Sequence, residues 1–226
     1  MTSTVSNPPA GFGRYRNMAE WLHALGDIAP ERVIANPFPG TATEEDLLRK
    51  VEVDKQLCEL IDGILVEKPM GDYESILALL LAQELLNFIR PKRLGAVIGP
   101  DGPLRFRIGL VRLPDIAFVS STRVKAGGGL KKPIASLIPD LAVEVLSPSN
   151  RPGEMRRKWQ EYFAAGVKFV WMIEPATRTA DIYTSVESVV HLDPDGVIDG
   201  GDVLPGFSLR LSELFAAADE AAEGSD

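Results

Sequence analysis

Cysteine is almost absent from this 226-residue chain. The single thiol, Cys58, excludes an internal disulfide framework and any zinc centre built on several cysteines. Histidine is nearly as scarce: His23 and His191 lie far apart, in no ligand spacing, and read as structural. Long hydrophobic runs are missing too. The most apolar stretch, from Ile76 to Leu86, is broken by Gln83 and Glu84 and is too short to span a bilayer. The first residues, MTSTVSNPPAGFGRYRN, have no apolar core of signal-peptide type. A cytoplasmic location with no membrane partner is the expectation. Positive charge is also in short supply, with 24 Lys and Arg against 32 Asp and Glu and a net charge of −8. Such a chain does not coat nucleic acid by bulk electrostatics, although an enzyme can touch a short stretch of backbone through a local basic patch.

What is present is an ordinary globular composition, 45% hydrophobic and 25% charged. Residues 1–13, rich in Ser, Pro and Gly, read as a disordered lead-in, 14–217 as one domain and 218–226 as a frayed acidic tail. Thr43 with three acids after it marks a helix start. From 57 to 68 the pattern is a β-hairpin turned on Asp62-Gly63, followed by an apolar helix over 73–89 that Pro91 stops. Strands are predicted near 96–98, 104–108, 116–119 and 141–146. An amphipathic helix follows over 154–165, closed by Gly166. A buried strand over 168–173, edge strands at 180–183 and 189–192, and a last helix from about Ser212 complete the reading. The fold class is α/β, an α/β sandwich around a central mixed sheet with an N-terminal helix and hairpin.

One residue in this pattern is anomalous. Glu144 interrupts LAVEVL, an otherwise apolar strand, and alternation puts Ala142, Glu144 and Leu146 on one face. A buried lone carboxylate costs several kcal/mol or more unless it is paired or binds a metal. Asp115, after Pro114, heads a second apolar strand; alone it is better explained as a turn or strand-entry residue. Together, two carboxylates on neighbouring strands supply hard oxygen ligands for Mg²⁺, and a main-chain carbonyl near Val145 could add another. On the following helix Met155, Trp159, Tyr162 and Phe163 define the buried stripe. Lys158 falls on one border and Arg156 on the other, with Arg157 pointing away, so periodicity permits Lys158 without selecting it. Gly127-Gly128-Gly129 and the neighbouring Arg123, Lys125, Lys131 and Lys132 form a surface loop, a candidate local contact for nucleic acid.

The segments CELIDGILVEKP, LPDIAFVS, IPDLAVEVLSPSN, the run WQEYFAAGVKFVWMIEP after Lys158, and LPGFSLRLSELF occur in this order. In them the chain, from about Thr41 to Phe215, resembles the Uma-two family of endonucleases, part of the PD-(D/E)XK superfamily of restriction-endonuclease-like folds. The resemblance implies that Asp115 is the metal-binding Asp and Glu144 the second acid. The superfamily's usual lysine, two residues after that acid, is replaced here by Leu146, which passes the role to Lys158. Glu59 matches a family acid in the hairpin, implied as a further metal or water ligand; an exposed strand position is its alternative. A His that members often carry before the long helix is replaced by Tyr73 or Glu74.

The function expected is thus a Mg²⁺- or Mn²⁺-dependent endodeoxyribonuclease that touches DNA weakly and transiently, compatible with a homodimer. Two other readings compete: a nuclease-derived binding or regulatory module without turnover, and a metal-dependent phosphohydrolase of small nucleotides.

Overall fold

In the computed structural model residues 17–69 and 71–224 are described; the lead-in predicted over 1–13 lies outside them. Local chemistry starts each element. Asn17 caps α1 (Met18–Ala24) by accepting from the Glu20 amide. Thr43 and Asp46 satisfy each other's backbone amides in a capping box at the head of α2 (Glu44–Glu52). The hairpin of β1 (Cys58–Ile61) and β2 (Ile64–Glu67) turns on Asp62 and Gly63, at φ 51° and 82°. Positive φ at both positions is what a two-residue hairpin turn of the right hand requires.

α3 (Asp72–Lys92) runs past the expected stop at Pro91. In a last turn the missing N–H removes only one hydrogen bond, and the helix ends instead at Arg93, in the left-handed region at φ 53°. There follow β3 (Gly95–Ile98), β4 (Leu104–Arg107), β5 (Leu110–Arg112), β6 (Ile116–Ser120), α4 (Ser121–Ala126), β7 (Leu141–Val145) and α5 (Pro152–Ala165). The chain ends in β8 (Phe169–Glu174), β9 (Thr179–Tyr183), β10 (Val189–Leu192), β11 (Val197–Asp199), β12 (Ser208–Arg210) and α6 (Leu211–Glu223). The sequence pattern did not disclose β5, β11 and β12, of three residues each, nor the short α1 and α4.

A six-stranded mixed sheet, ordered β10-β9-β8-β7-β6-β3, is the centre. Its parallel pair, β7 and β8, is joined by the α5 crossover; the other neighbours are antiparallel. On one face Ile116, Phe118, Leu141, Val143, Val145, Phe169 and Trp171 pack against Leu77, Leu81 and Leu85 of α3 and Leu214 and Phe215 of α6. On the other, Ala117, Ala142, Val170 and Met172 meet Met155 and Tyr162 of α5 and Ile64, Leu104 and Phe106 of a second, four-stranded sheet ordered β2-β1-β5-β4. Fully burying a side chain of this size contributes roughly 1.5–3 kcal/mol, so both layers are apolar wherever they can be.

Two expectations are corrected. β9 is interior, between β8 and β10, because the chain turns back once more; the edges are β10 and β3. The segment read as a frayed tail is helical to Glu223. Its Ala-rich composition favours helix. Ala218 is buried against the core, and Asp219 accepts from the Tyr73 hydroxyl and from Arg178, both at 2.7 Å.

Candidate active site

Pairing of β6 with β7, in the register Ile116 to Val143, brings the head of one strand beside the end of the other. Asp115, just ahead of β6, accepts the Val145 amide on Oδ2 at 2.7 Å. Its Oδ1 meets the Lys68 ammonium at 2.8 Å. Glu144, near the end of β7, projects from the face that packs on α5, as alternation requires. Lys158 of α5 reaches its Oε2 at 3.0 Å, and the Tyr162 hydroxyl donates to its Oε1. Asp115, Glu144 and Lys158 are all at most 4% exposed. The structure therefore brings the three sequence-predicted residues together and separates Lys158 from Arg156, which is exposed. Arg157 does not point away: it binds Glu161, Asp62 and the carbonyl of Ala24.

Glu59 is buried, not exposed. Its Oε2 holds Arg112 at 2.6 Å, while Oε1 accepts the Leu113 amide at 3.1 Å and faces Lys158 at 3.2 Å. Lys158 thus stands between Glu59 and Glu144, and Glu59 does not line the cleft onto which Asp115 and Glu144 open. Arg112 passes the chain of charges on to Glu161, and Arg157 carries it to Asp62 at the hairpin turn.

The cleft is small, with a cavity volume of about 10 Å³, the space of one water or one ion. Val145, Lys68, Pro69, Arg32, Glu74, Ser147 and Asn150 complete its wall with the three residues above. Among the described residues no group of three or more His, Cys, Asp or Glu is arranged to hold a metal. The buried carboxylates of the cleft are two, Asp115 and Glu144, with the half-buried Glu74 also in the wall; two are within what Mg²⁺ uses when water and phosphate fill its other positions. Each carboxylate oxygen already has one partner but carries two lone-pair sites, so one remains free at each.

Burial pushes the Glu144 carboxyl up from its ordinary value; Lys158 pulls the other way, and Asp115 reinforces the rise. Burial also acts on Glu59, but Lys158 and Arg112 outweigh it and hold that carboxyl at about 2. For Lys158 desolvation would favour the neutral amine, yet Glu144 and Glu59 raise it above the ordinary lysine range, so it stays an ammonium. Burial and Glu144 raise Tyr162, which stays a phenol able to donate.

Three participants were not visible in the sequence. Lys68 directly follows β2, where a lysine reads as solvated, yet its ammonium is buried and also donates to the Leu113 and Pro100 carbonyls. Arg32, the last residue of a short 3-10 helix (Pro30–Arg32) ahead of α2, forms a bidentate pair with Glu154 at 2.7 and 2.8 Å. Tyr162 read as core stripe; its place four residues after Lys158 on one helix face was the available signal. The loop that follows Lys125 leaves α4, which itself starts at the other end of β6, about 20 Å from Asp115 by strand rise.

The model of the Uma2 family, described as "Putative restriction endonuclease", matches residues 45–212. A crystal structure of a protein from Anabaena variabilis, described as a "putative nuclease belonging to DUF820", superposes with a TM-score of 0.65 at 20% identity. The alignment covers 73% of this chain and 92% of that one, and shows a shared fold. No curated protein matches the chain.

Proposed function

From the premise that the chain belongs to the Uma2 family, whose model covers most of its length, we propose that it is a metal-dependent endonuclease that hydrolyses phosphodiester bonds in DNA. The observation that carries the proposal is the convergence of Asp115 and Glu144, both buried, on one ion-sized cleft beside the Lys158 ammonium. Asp115 and Glu144 would hold a Mg²⁺ or Mn²⁺ ion, with the Val145 carbonyl as a further oxygen. When bound, such an ion neutralises phosphoryl charge and acidifies water.

The protein's own groups have separable roles. Lys158 is held charged and therefore donates: it orients a nucleophilic water or steadies the transferring phosphoryl oxygens, and it does not accept a proton. Glu59 and Arg112 fix its position from behind, so Glu59 acts through Lys158 and not as a ligand. Tyr162 fixes the rotamer of Glu144. Lys68 and Arg32 add positive charge to the wall that a phosphate would face.

Purified protein incubated with plasmid, single-stranded DNA and RNA, with Mg²⁺ or Mn²⁺, tests this reading. Cleavage of DNA that is lost in Glu144→Ala and Lys158→Ala is expected. No cleavage with either metal, or equal cleavage by the variants, overturns it. A phosphate-release screen on nucleotides separates the small-substrate phosphohydrolase. The Lys68–Asp115 pair supports the second reading, a non-catalytic module, since a cation already answers Asp115. Calorimetry with Mn²⁺ decides between them: the enzyme requires a site that Asp115→Ala removes. Cutting both strands would take two clefts and hence a homodimer, which sedimentation velocity reads.

A further inference from the structure

Charge is unevenly placed along this chain. Between Leu85 and Pro139 there are ten Lys and Arg against two acids, Asp101 and Asp115, in a protein of net charge −8. Several of these bases are taken. Arg105 pairs with Glu44, Arg107 with Asp62, and Arg112 with Glu59 and Glu161. Arg123, which the sequence suggested as a nucleic-acid contact, is also engaged: it donates to the carbonyls of Ile138, Pro139 and Gly166 and meets Asp140 at 3.2 Å. Arg90, Lys92, Arg93, Lys125, Lys131 and Lys132 remain, all exposed and in none of the ion pairs among the described residues.

The fold gathers the first four. Ser121 at the head of α4 donates its amide to the Leu94 carbonyl at 2.8 Å and its hydroxyl to the Arg93 carbonyl at 2.9 Å. The head of α4 therefore adjoins the C-terminal end of α3, beside the Gly95–Ser120 pair. Lys125 lies one turn beyond Ser121 on the same side of α4. Lys92 is fixed over the Phe88 ring at 3.1 Å. Lys131 and Lys132 extend the block on the loop that leaves α4.

Cations in a final helical turn stabilise the helix dipole, which accounts for Arg90, Lys92 and Lys125 one at a time. It accounts neither for the absence of acids from the last turn of α3 and from α4 nor for Lys131 and Lys132. A bilayer surface is the less suitable partner, because in the last two turns of α3 only Leu86 among the large apolar side chains is exposed. We propose that this end of the molecule, the C-terminal ends of α3 and α4, holds the phosphate backbone of a nucleic-acid duplex flanking the bond in the cleft. The proposal rests on the nuclease reading and extends it. Six residue steps separate Asp115 from Ser121, about 20 Å along β6, so the contact falls roughly six base pairs from the cleft. It positions the duplex without reading sequence.

Fluorescence anisotropy with a labelled duplex of about 30 base pairs, without divalent metal and across roughly 50–200 mM salt, tests it. The variant Arg90→Glu/Arg93→Glu/Lys125→Glu is expected to bind at least about tenfold more weakly and to lose about three units of log–log salt slope. The matching Gln variant should lose less, and reversal of Arg49, Lys55 and Arg210 should change little; melting curves confirm that each is folded. Unchanged affinity and slope in both basic-end variants, an equal loss in the control, or tighter binding of wild type to phosphatidylserine vesicles than to duplex overturns the proposal. The measurement involves no cleavage. A protein that binds through this end yet never cuts would sink the nuclease reading and leave the surface standing.

Discussion

At opposite ends of the β6–β7 pair stand two aspartates, each preceded by a proline and each heading its strand. Asp115 takes the amide of Val145, at the exit of β7, at 2.7 Å; Asp140 takes the amide of Ser120, at the exit of β6, at 2.8 Å. Each also meets a lysine, Lys68 at 2.8 Å and Lys168 at 2.9 Å. The surroundings differ. Next to Asp115 is a second buried carboxylate, Glu144, and the Lys68 side chain is 7% exposed. Next to Asp140 is Arg123 with no second acid, and the Lys168 side chain is 61% exposed. The aspartate clamp is a device for closing the end of a strand pair, which would otherwise leave an amide unsatisfied. On the nuclease reading proposed above, the working clamp is the one whose cleft is shared by a second buried acid.

The largest effect separates the two in activity. Asp115→Asn keeps shape and removes a charge, and is expected to lower metal-dependent cleavage by at least about a thousandfold. Asp140→Asn should remain within about threefold of wild type, since strand pairing survives on the other ladder bonds. Single-turnover cleavage of plasmid measures both; comparable losses would mean that the two clamps are not functionally distinct. Stability sharpens the contrast. Asp115→Ala strands Lys68 in the interior and should cost about 3–5 kcal/mol in urea denaturation, most of it recovered in Asp115→Ala/Lys68→Met. Asp140→Ala leaves its cations hydrated and should cost about 1–2 kcal/mol.

Because the two clamps share the dipeptide Pro-Asp, no local pattern tells them apart; what does so is the pairing of β6 with β7. Glu144 was legible because a strand of period two cannot hide a charge among five apolar residues. The hairpin was legible because Asp-Gly suits two positive φ angles. Lys158 was not separable from Arg156, since both flank the α5 stripe at similar angles. The choice is made by Glu59, which arrives from β1 in the other sheet. Lys68 was hidden for the same reason: its partners, Asp115 and the Leu113 and Pro100 carbonyls, are all more than thirty residues away, and only folding brings them near. β9 was misread as an edge because half-polar alternation describes a strand open to solvent on one face, whether or not a neighbour follows.

Acid titration gives a smaller test of the comparison. Burial works against the ionised Asp140 carboxyl, but the Ser120 amide, Lys168 and Arg123 together hold it below its ordinary value. A depressed carboxyl contributes stability that is present above its unfolded value, near pH 4, and is lost as pH falls through the lower folded value. Asp140→Asn should therefore flatten the acid limb of stability below about pH 4. Glu144 has the opposite sign: raised by burial, it is protonated more readily in the folded state, so acid does not destabilise through it. Glu144→Gln should leave that limb as steep as in wild type. If both variants flatten it alike, the two carboxylates are not in different environments.

The smallest effect lies one step beyond each clamp. After Ser120 the chain enters α4, and the Ser120 hydroxyl accepts the Arg123 amide at 3.4 Å as its cap. After Val145 it enters a turn in which Asn150 Oδ1 accepts the Ser147 amide at 2.8 Å. Each is a side-chain bond to a turn or cap amide, the Asn150 oxygen also accepting the Ser147 hydroxyl at 3.2 Å, so Ser120→Ala and Asn150→Ala should each cost about 0.5–1 kcal/mol. Their consequences for activity should differ, because Asn150 lines the cleft and Ser120 does not. Asn150→Ala is expected to lower cleavage several-fold at unchanged metal affinity, while Ser120→Ala leaves cleavage intact and weakens duplex binding only as far as it loosens α4. Cleavage rates that fall equally in the two variants would show that the ends of the β6–β7 pair are coupled, and that the division between a closing clamp and a working one is drawn in the wrong place.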